Sequence, residues 1–200
     1  MTDHHDHDHG DHDVHDDHDD DRDQAREAEE RARRQIALSQ IRQYGDPVLR
    51  MQANAVESFD EELEKLTERM LLLMRDADGV GLAATQVGIL RRVFVFSNDG
   101  EDVVVVNPVL TKTGGGVETD TEGCLSLGLV RMPVERSVEV TLEGVGVDGT
   151  PFSLELEGLP ARVVQHEADH LDGKLIIDRT DPESRREALA QLRPRLVLSR

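Results

Sequence analysis

The pentapeptide His166-Glu167-Ala168-Asp169-His170 lies within residues 160–172, which the sequence predicts to form a helix. Pro160 suits the first turn of a helix, and Gly173 suits its C-terminal cap. Residues four apart share one helix face, so both imidazoles can reach the same metal ion. Glu167 is then placed to act on a water molecule at that ion. The spacing predicts a metal-binding helix; the alternative is a solvated acidic helix that carries two histidines by chance.

Cys124 is the single cysteine of the chain and the strongest candidate for a third metal ligand. The only other histidines lie in the N-terminal tail, so an extended motif with a later histidine is excluded. Two histidines and one cysteine, with a fourth position for water, form a hydrolytic site. Glu187 is a weaker alternative ligand. Cys124 could instead be a small buried hydrophobic residue, as free cysteines usually are, or a nucleophile paired with a histidine.

A third segment, residues 79–88 (GVGLAATQVG), has very little side-chain bulk. An extended peptide could therefore approach its backbone closely. Gln86 offers a neutral amide donor, and such a donor can stabilise the oxyanion that forms when hydroxide attacks a carbonyl group. Taken alone, the segment is equally typical of a glycine-rich turn followed by buried small residues.

Together, the three segments resemble the motifs of the peptide deformylase family. Residues 79–86 are similar to GxGxAAxQ, residues 122–126 (EGCLS) to EGCxS and residues 166–170 to HExxH, in the order found in that family. The resemblance covers roughly residues 41–180, and three motifs in order are far more specific than any one of them. Residues 127–130 (LGLV) depart from the proline-containing stretch common after EGCxS, which leaves the shape of this loop open.

The resemblance implies a metal-dependent hydrolase that removes the N-formyl group from the initiator methionine of newly made polypeptides and releases formate. Cys124, His166 and His170 would hold the metal, and Glu167 would be the general base and then the general acid. The implied native metal is Fe²⁺, for which Zn²⁺, Ni²⁺ or Co²⁺ can substitute. The ligand types alone would favour Zn²⁺.

The remaining roles implied by the resemblance concern the substrate. The side-chain amide of Gln86 and the backbone N–H of Leu125 would form an oxyanion hole. The residues expected to border the substrate peptide are Gly79, Val80, Gly81 and Arg131. Three alternatives stay open from the residues themselves: a metallopeptidase, a metal-storage or metal-delivery protein, and a catalytically inactive binding module.

The expected fold is α+β, with antiparallel sheets packed around the central metal-binding helix, an N-terminal helix and a C-terminal helix. Apolar residues spaced by three and four predict a helix over 59–75, with Ser58 and Glu61 as its capping box. Strands are expected at 92–96, 103–107, 138–142 and 152–156. Residues 182–192 are expected to form a last helix, and residues 24–40 a polar helix or a frayed lead-in.

The first 23 residues contain seven His and eleven Asp and almost nothing apolar, so we expect them to be disordered. The predicted organisation is a His/Asp-rich tail with a polar lead-in over 1–35, followed by a catalytic domain over 36–200. The tail carries −10 of the total charge of −19, since its eleven Asp are opposed by one Arg. It could bind metal ions weakly, or it could simply keep the protein in solution.

The composition also limits the expected partners and compartment. The chain has one Tyr, four Phe and no Trp, and its net charge is negative, which argues against binding DNA or single strands. No stretch resembles a signal peptide or a membrane span, and one cysteine forms no internal disulfide, so we expect a cytoplasmic protein. Residues 181–200 carry five Arg against three acids and could contact the ribosome near the exit tunnel; an ordinary end helix is the alternative.

Overall fold

The computed structural model describes residues 17–192, and the side chains of residues 22–192. Within this range the α+β class is confirmed. The elements in chain order are α1 (Asp17–Ser39), α2 (Glu61–Asp76), β1 (Gly81–Ala83), β2 (Val93–Asn98), β3 (Glu101–Gly123), β4 (Arg131–Val145), β5 (Pro151–Glu157), α3 (Gly158–Leu171) and α4 (Pro182–Leu192). No helix of this part of the chain has the length and apolar character needed to cross a bilayer.

The five strands form one antiparallel sheet in the order β1-β2-β3-β4-β5, each strand pairing with the next along the chain. The β3 strand is far longer than the predicted 103–107 segment. Its register against β4 shifts between Val106 and Val109 and again around Gly114, which marks bulges. Beyond them, the last pair joins Gly123 to Arg131, so that the end of β3 lies beside the start of β4.

Strand β2 is buried on both faces, between α2 and α3. Val93 and Val95 of β2 belong to the core cluster that contains Leu63 and Met70 of α2. Phe94 and Phe96 belong to the cluster that contains residues of α3. Alternate residues of a strand point to opposite faces, so β2 contributes to both cores. The metal-binding helix predicted from the sequence therefore packs directly against the sheet.

Two local predictions were wrong. The cap of α2 is Asp60, whose side chain accepts a hydrogen bond from the backbone N–H of Leu63 (3.0 Å), so Ser58 and Glu61 do not form the cap. Phe59 precedes the helix and is 41 % exposed rather than part of the apolar stripe. Aspartate is as good an N-cap as serine, and here it lies two residues closer to the helix.

The N-terminal helix begins earlier than predicted. Residues 17–23, expected to be disordered, form the first turns of α1, while residues 1–16 of the tail lie outside the described residues. Ion pairs one helical turn apart, such as Arg31 with Glu27 (3.3 Å), support the later turns of the helix. Ala37, near the other end of α1, is buried in the same core as α2. The domain boundary at residue 36 stays a prediction.

Candidate active site

The three candidate metal ligands lie together. Cys124 follows the last residue of β3, and His166 and His170 lie on α3. One potential ligand atom from each residue falls within 4.8 Å of the other two, and Cys124 Sγ lies 3.3 Å from His170 Nε2. A thiolate and two imidazoles are a donor set that suits transition metals such as zinc or iron. The residues therefore fit a bound metal ion. Glu187, the alternative ligand, is exposed on α4 and is not a member of this group.

Glu122 fixes the orientation of His166, a role that the sequence analysis missed. His166 Nδ1 donates to Glu122 Oε2 (3.0 Å), which leaves Nε2 as the nitrogen available to a metal. The same carboxylate accepts two hydrogen bonds from Arg136 (2.9 and 3.0 Å) and one from Arg162 (2.9 Å). Burial would raise the pKa of Glu122, but the hydrogen bonds with His166 and Arg136 outweigh it and lower the pKa to about 2.

The charged network continues to α3. Arg136 also donates to Asp169 of the HExxH helix (2.5 Å), and Asp169 accepts two hydrogen bonds from Arg179 (2.5 and 3.0 Å). Glu122, Arg136 and Asp169 are all buried, so each charge relies on its partners. The membership of Glu122 in the EGCxS motif could have indicated a role, whereas nothing in the local sequence singles out Arg136.

The two histidines differ in protonation. Burial lowers the pKa of His170 well below its ordinary value, which keeps the ring neutral, the form that binds a metal. Burial also opposes the charge of His166, but hydrogen bonds with Cys124 and Glu122 raise its pKa well above the ordinary value. A proton on His166 competes with a metal ion for Nε2, so metal binding should release protons.

Gln86 is held so that its amide N–H₂ group faces the cysteine. Its Oε1 accepts a hydrogen bond from the backbone N–H of Ala83 (2.8 Å). Its Nε2 donates to Ser126 Oγ (3.1 Å) and lies 3.7 Å from Cys124 Sγ. Because the oxygen is engaged on the other side, the donor group is fixed on the side of the candidate metal ligands.

Glu167 is a buried carboxylate with one oxygen that lacks a hydrogen-bond partner among the described residues. The side chain is 4 % exposed, and its Oε2 is the unpartnered atom. Burial raises the pKa of Glu167 to about 7. A Cβ at Gly81 would lie only 2.4 Å from Glu167 Oε1, so the glycine leaves the space that the carboxylate needs.

These residues open onto a cleft of about 370 Å³. All the site residues predicted from the sequence line it except His170, which is buried. Gly79 adjoins Leu125, since a Cβ there would lie 2.9 Å from Leu125 Cδ1. Val80 is half exposed, and Arg131 lies at the exposed start of β4.

The altered loop 127–130 also borders the cleft. Leu127 and Val130 are buried in the core beneath Cys124, and between them Gly128 has a φ of +63°, in the region that glycine adopts most easily. Leu129 is 92 % exposed and lines the cleft. The loop thus adds an apolar side chain to the cleft wall while its neighbours anchor it to the core.

Comparison with known proteins agrees with this geometry. The sequence model of the family described as polypeptide deformylase matches residues 38–186.

The chain belongs to the polypeptide deformylase family.

Peptide deformylase 1 of Corynebacterium efficiens is 45 % identical over 162 residues, which cover 79 % of this chain and 96 % of that relative. Among solved structures, the deformylase of Thermotoga maritima has 47 % identity and a TM-score of 0.69, covering 71 % of this chain and 97 % of that one. The Thermus thermophilus enzyme has 44 % identity and a TM-score of 0.71, covering 76 % and 91 %. Members of the family are hydrolases. The sequence identity and the fold both identify this chain as a deformylase, and therefore as a hydrolase.

The Glu122 network leads to a prediction for metal binding by this deformylase. Replacing Glu122 with glutamine keeps the size of the side chain but removes the negative charge that orients His166. We expect metal affinity to fall by about 10–100-fold, the usual effect of changing an outer-sphere partner of a ligand. Competition with a chromogenic chelator measures the affinity.

Glu118→Gln is the matched control, because Glu118 is exposed on the same strand. Its metal affinity should equal that of the unmodified protein. If Glu122→Gln has an unchanged metal affinity and its fold is intact by circular dichroism, Glu122 does not orient His166 for metal binding.

Proposed function

We propose that this chain removes the N-formyl group from the initiator methionine of newly made polypeptides, with Cys124, His166 and His170 holding the metal. One observation carries the proposal: a Cys/His/His donor set, a buried carboxylate with an unpartnered oxygen and an oriented amide donor border one cleft on the deformylase fold. A bound metal supplies Lewis acidity, which lowers the pKa of water and polarises the formyl carbonyl.

Glu167 moves the proton in the proposed reaction. Water adds to the formyl carbon, and its proton passes to the Glu167 carboxylate. When the C–N bond breaks, Glu167 returns the proton to the departing amine, and formate is released. A pKa near 7 suits a group that must both accept and donate a proton near neutral pH.

The oxyanion that forms on the formyl oxygen needs donors that are already in place. Gln86 Nε2 is fixed by the hydrogen bond that its own oxygen accepts from Ala83. The backbone N–H of Leu125, at the start of the short 3-10 helix after Cys124, is the second proposed donor. Removing one such donor typically costs about 2.7–4 kcal/mol of transition-state stabilisation.

The peptide part of the substrate is proposed to lie along residues 79–81, where β1 begins. This strand is at the edge of the sheet and pairs with β2 on one side only. An extended peptide can add to such an edge through backbone hydrogen bonds. Gly79, Val80 and Gly81 would border it, and so would Arg131, which lines the same cleft from the start of β4. The absence of side-chain bulk at the two glycines allows the close approach.

Several finer features belong to the same proposal. We assign Fe²⁺ as the native metal, with Zn²⁺, Ni²⁺ or Co²⁺ able to substitute, and we place the enzyme in the cytoplasm, near the ribosomal exit tunnel. Weak metal binding by the His/Asp tail also stays a prediction, since residues 1–16 lie outside the described range. The basic segment 181–200 is described only to residue 192, where Leu189 and Leu192 of α4 pack against a core cluster.

The deciding experiment follows formate. Protein purified without oxygen and loaded with Fe²⁺ should release formate from a formyl-Met-Ala-Ser peptide and leave the peptide bonds intact. Exposure to air should lower the rate, because Fe²⁺ and the Cys124 thiolate are both oxidisable. Formate is measured enzymatically and the products by mass spectrometry.

The acetyl-Met-Ala-Ser peptide is the control that tests whether the enzyme requires a formyl group on the peptide. Cleavage inside the peptide chain would indicate a metallopeptidase. A metal-filled protein that turns over no formyl-peptide with Fe²⁺, Co²⁺, Ni²⁺ or Zn²⁺ would leave only a binding or storage role.

A further inference from the structure

A second cavity adjoins the catalytic cleft on the side of the N-terminal helix. It has a volume of about 490 Å³ and lies between α1 and the C-terminal end of α2. Arg34 of α1 and Asp78 line both cavities, so the two spaces are neighbours. Most of α1 precedes residue 38, where the match to the deformylase family begins. This wall of the cleft therefore lies before the region that the family model matches.

A continuous backbone leads from the reacting groups to this cavity. Gly81 adjoins the Glu167 carboxylate, and Gly79 adjoins Leu125. Two residues before Gly79, the carbonyl of Ala77 accepts a hydrogen bond from Arg34 Nε (3.3 Å). Residues 77 and 78 form the turn that ends α2, with Asp78 at a φ of +57°, so the three steps from Gly81 to position 78 span no more than about 10 Å, the length of three extended substrate residues. A substrate lying along this segment reaches Arg34 about three residues beyond its formylated end.

The chemistry of the second cavity suits a polypeptide of mixed sequence. Its walls carry acids, such as Glu30 and Asp76, beside arginines, such as Arg31 and Arg75. Because the cavity wall carries charges of both signs, it does not favour a polyanion. The guanidinium of Arg34 has five N–H donors in a planar fork, and the Ala77 carbonyl engages the Nε donor. The remaining donors are the type of group that binds peptide carbonyl oxygens.

We propose that Arg34 binds backbone carbonyls of the third to fifth residues of the formyl-polypeptide, so that this enzyme favours substrates longer than a tripeptide. The inference rests on the proposed deformylase function and names the part of the substrate that α1 recognises. Arg34 thus determines the preference for substrate length. The residues proposed to act on the formyl group lie in the three motifs of the matched region.

The test compares two C-terminally amidated peptides, formyl-Met-Ala-Ser and formyl-Met-Ala-Ser-Ala-Ser-Ala, on the metal-loaded full chain. Amidation removes the terminal carboxylate, which would otherwise attract any arginine. The unmodified enzyme should have the higher kcat/KM with the hexapeptide, through a lower KM. In Arg34→Ala this advantage should fall by about tenfold, the effect of losing a charge-assisted hydrogen bond. Arg26→Ala, on the same helix but lining neither cavity, should keep it.

The outcomes separate the possible errors. If Arg34→Ala lowers kcat/KM equally for both peptides, Arg34 acts by positioning the Ala77–Gly79 backbone, and the substrate contact is refuted. An unchanged preference in the variant also refutes it, as does a hexapeptide advantage that is absent from the unmodified enzyme. If the unmodified enzyme releases no formate from either peptide, the proposed function itself fails. Thermal unfolding of each variant shows whether α1 stays packed.

Discussion

Replacing Glu167 with glutamine is expected to lower the rate of formyl-peptide hydrolysis by about 10²–10⁴-fold, the usual contribution of a general acid or base. Glutamine fills the same buried space next to Gly81 but cannot accept a proton at neutral pH. The metal should stay bound, because Glu167 is not a member of the Cys124, His166 and His170 group. Steady-state kinetics gives the rate, and elemental analysis of the same sample gives the metal content.

Glu187→Gln is the matched control for this experiment. It makes the same chemical change at an exposed position of α4, and it should retain both the metal and full activity. Metal loss in Glu187→Gln would revive the alternative third ligand. Near-full activity in Glu167→Gln would require another proton acceptor, and loss of its metal would assign Glu167 a structural role at the centre.

The helices of the site could be predicted from the sequence because their signals are local. The helix expected over 160–172 is α3, Gly158–Leu171, and Gly173 follows it with a φ of +70°, as its role in the cap requires. The helix expected over 182–192 is found at Pro182–Leu192. Proline near the start, glycine after the end and the spacing of apolar residues act within a few positions of one another. Because these signals depend only on neighbouring residues, the helices can be recognised without knowledge of the tertiary structure.

The strands were only partly predictable, since pairing depends on distant residues. The second half of β3, up to Gly123, is rich in glycine and threonine and largely exposed, so it lacks the apolar alternation that marks a strand. Its pairing with β4 holds it in the sheet, with bulges where the register shifts. That pairing delivers Cys124 to the histidines of α3, about 40 residues later in the sequence.

The residues of the candidate site were likewise only partly predictable from the sequence. The residue types expected to do chemistry were recognisable from three motifs, and the structure brings them around one cleft. The groups that orient them were not recognisable. Arg136 connects Glu122 to Asp169 across two elements, and its place in the sequence gives no sign of this. Buried ion pairs are specified by the tertiary fold, because each charge needs a partner that only the folded chain supplies.

Replacing Cys124 with alanine is expected to abolish activity by removing the metal. Cys124 is one of the three proposed ligands, so affinity should fall by more than the roughly 100-fold upper effect of an outer-sphere change. Chelator competition and formate release are measured on the same preparation, and thermal unfolding without metal shows whether the buried position tolerates alanine. The result separates the three interpretations of Cys124. A nucleophile would lose activity but keep the metal, and a core residue would lose stability while metal affinity and turnover persist. Only a ligand loses metal and activity together in a folded protein.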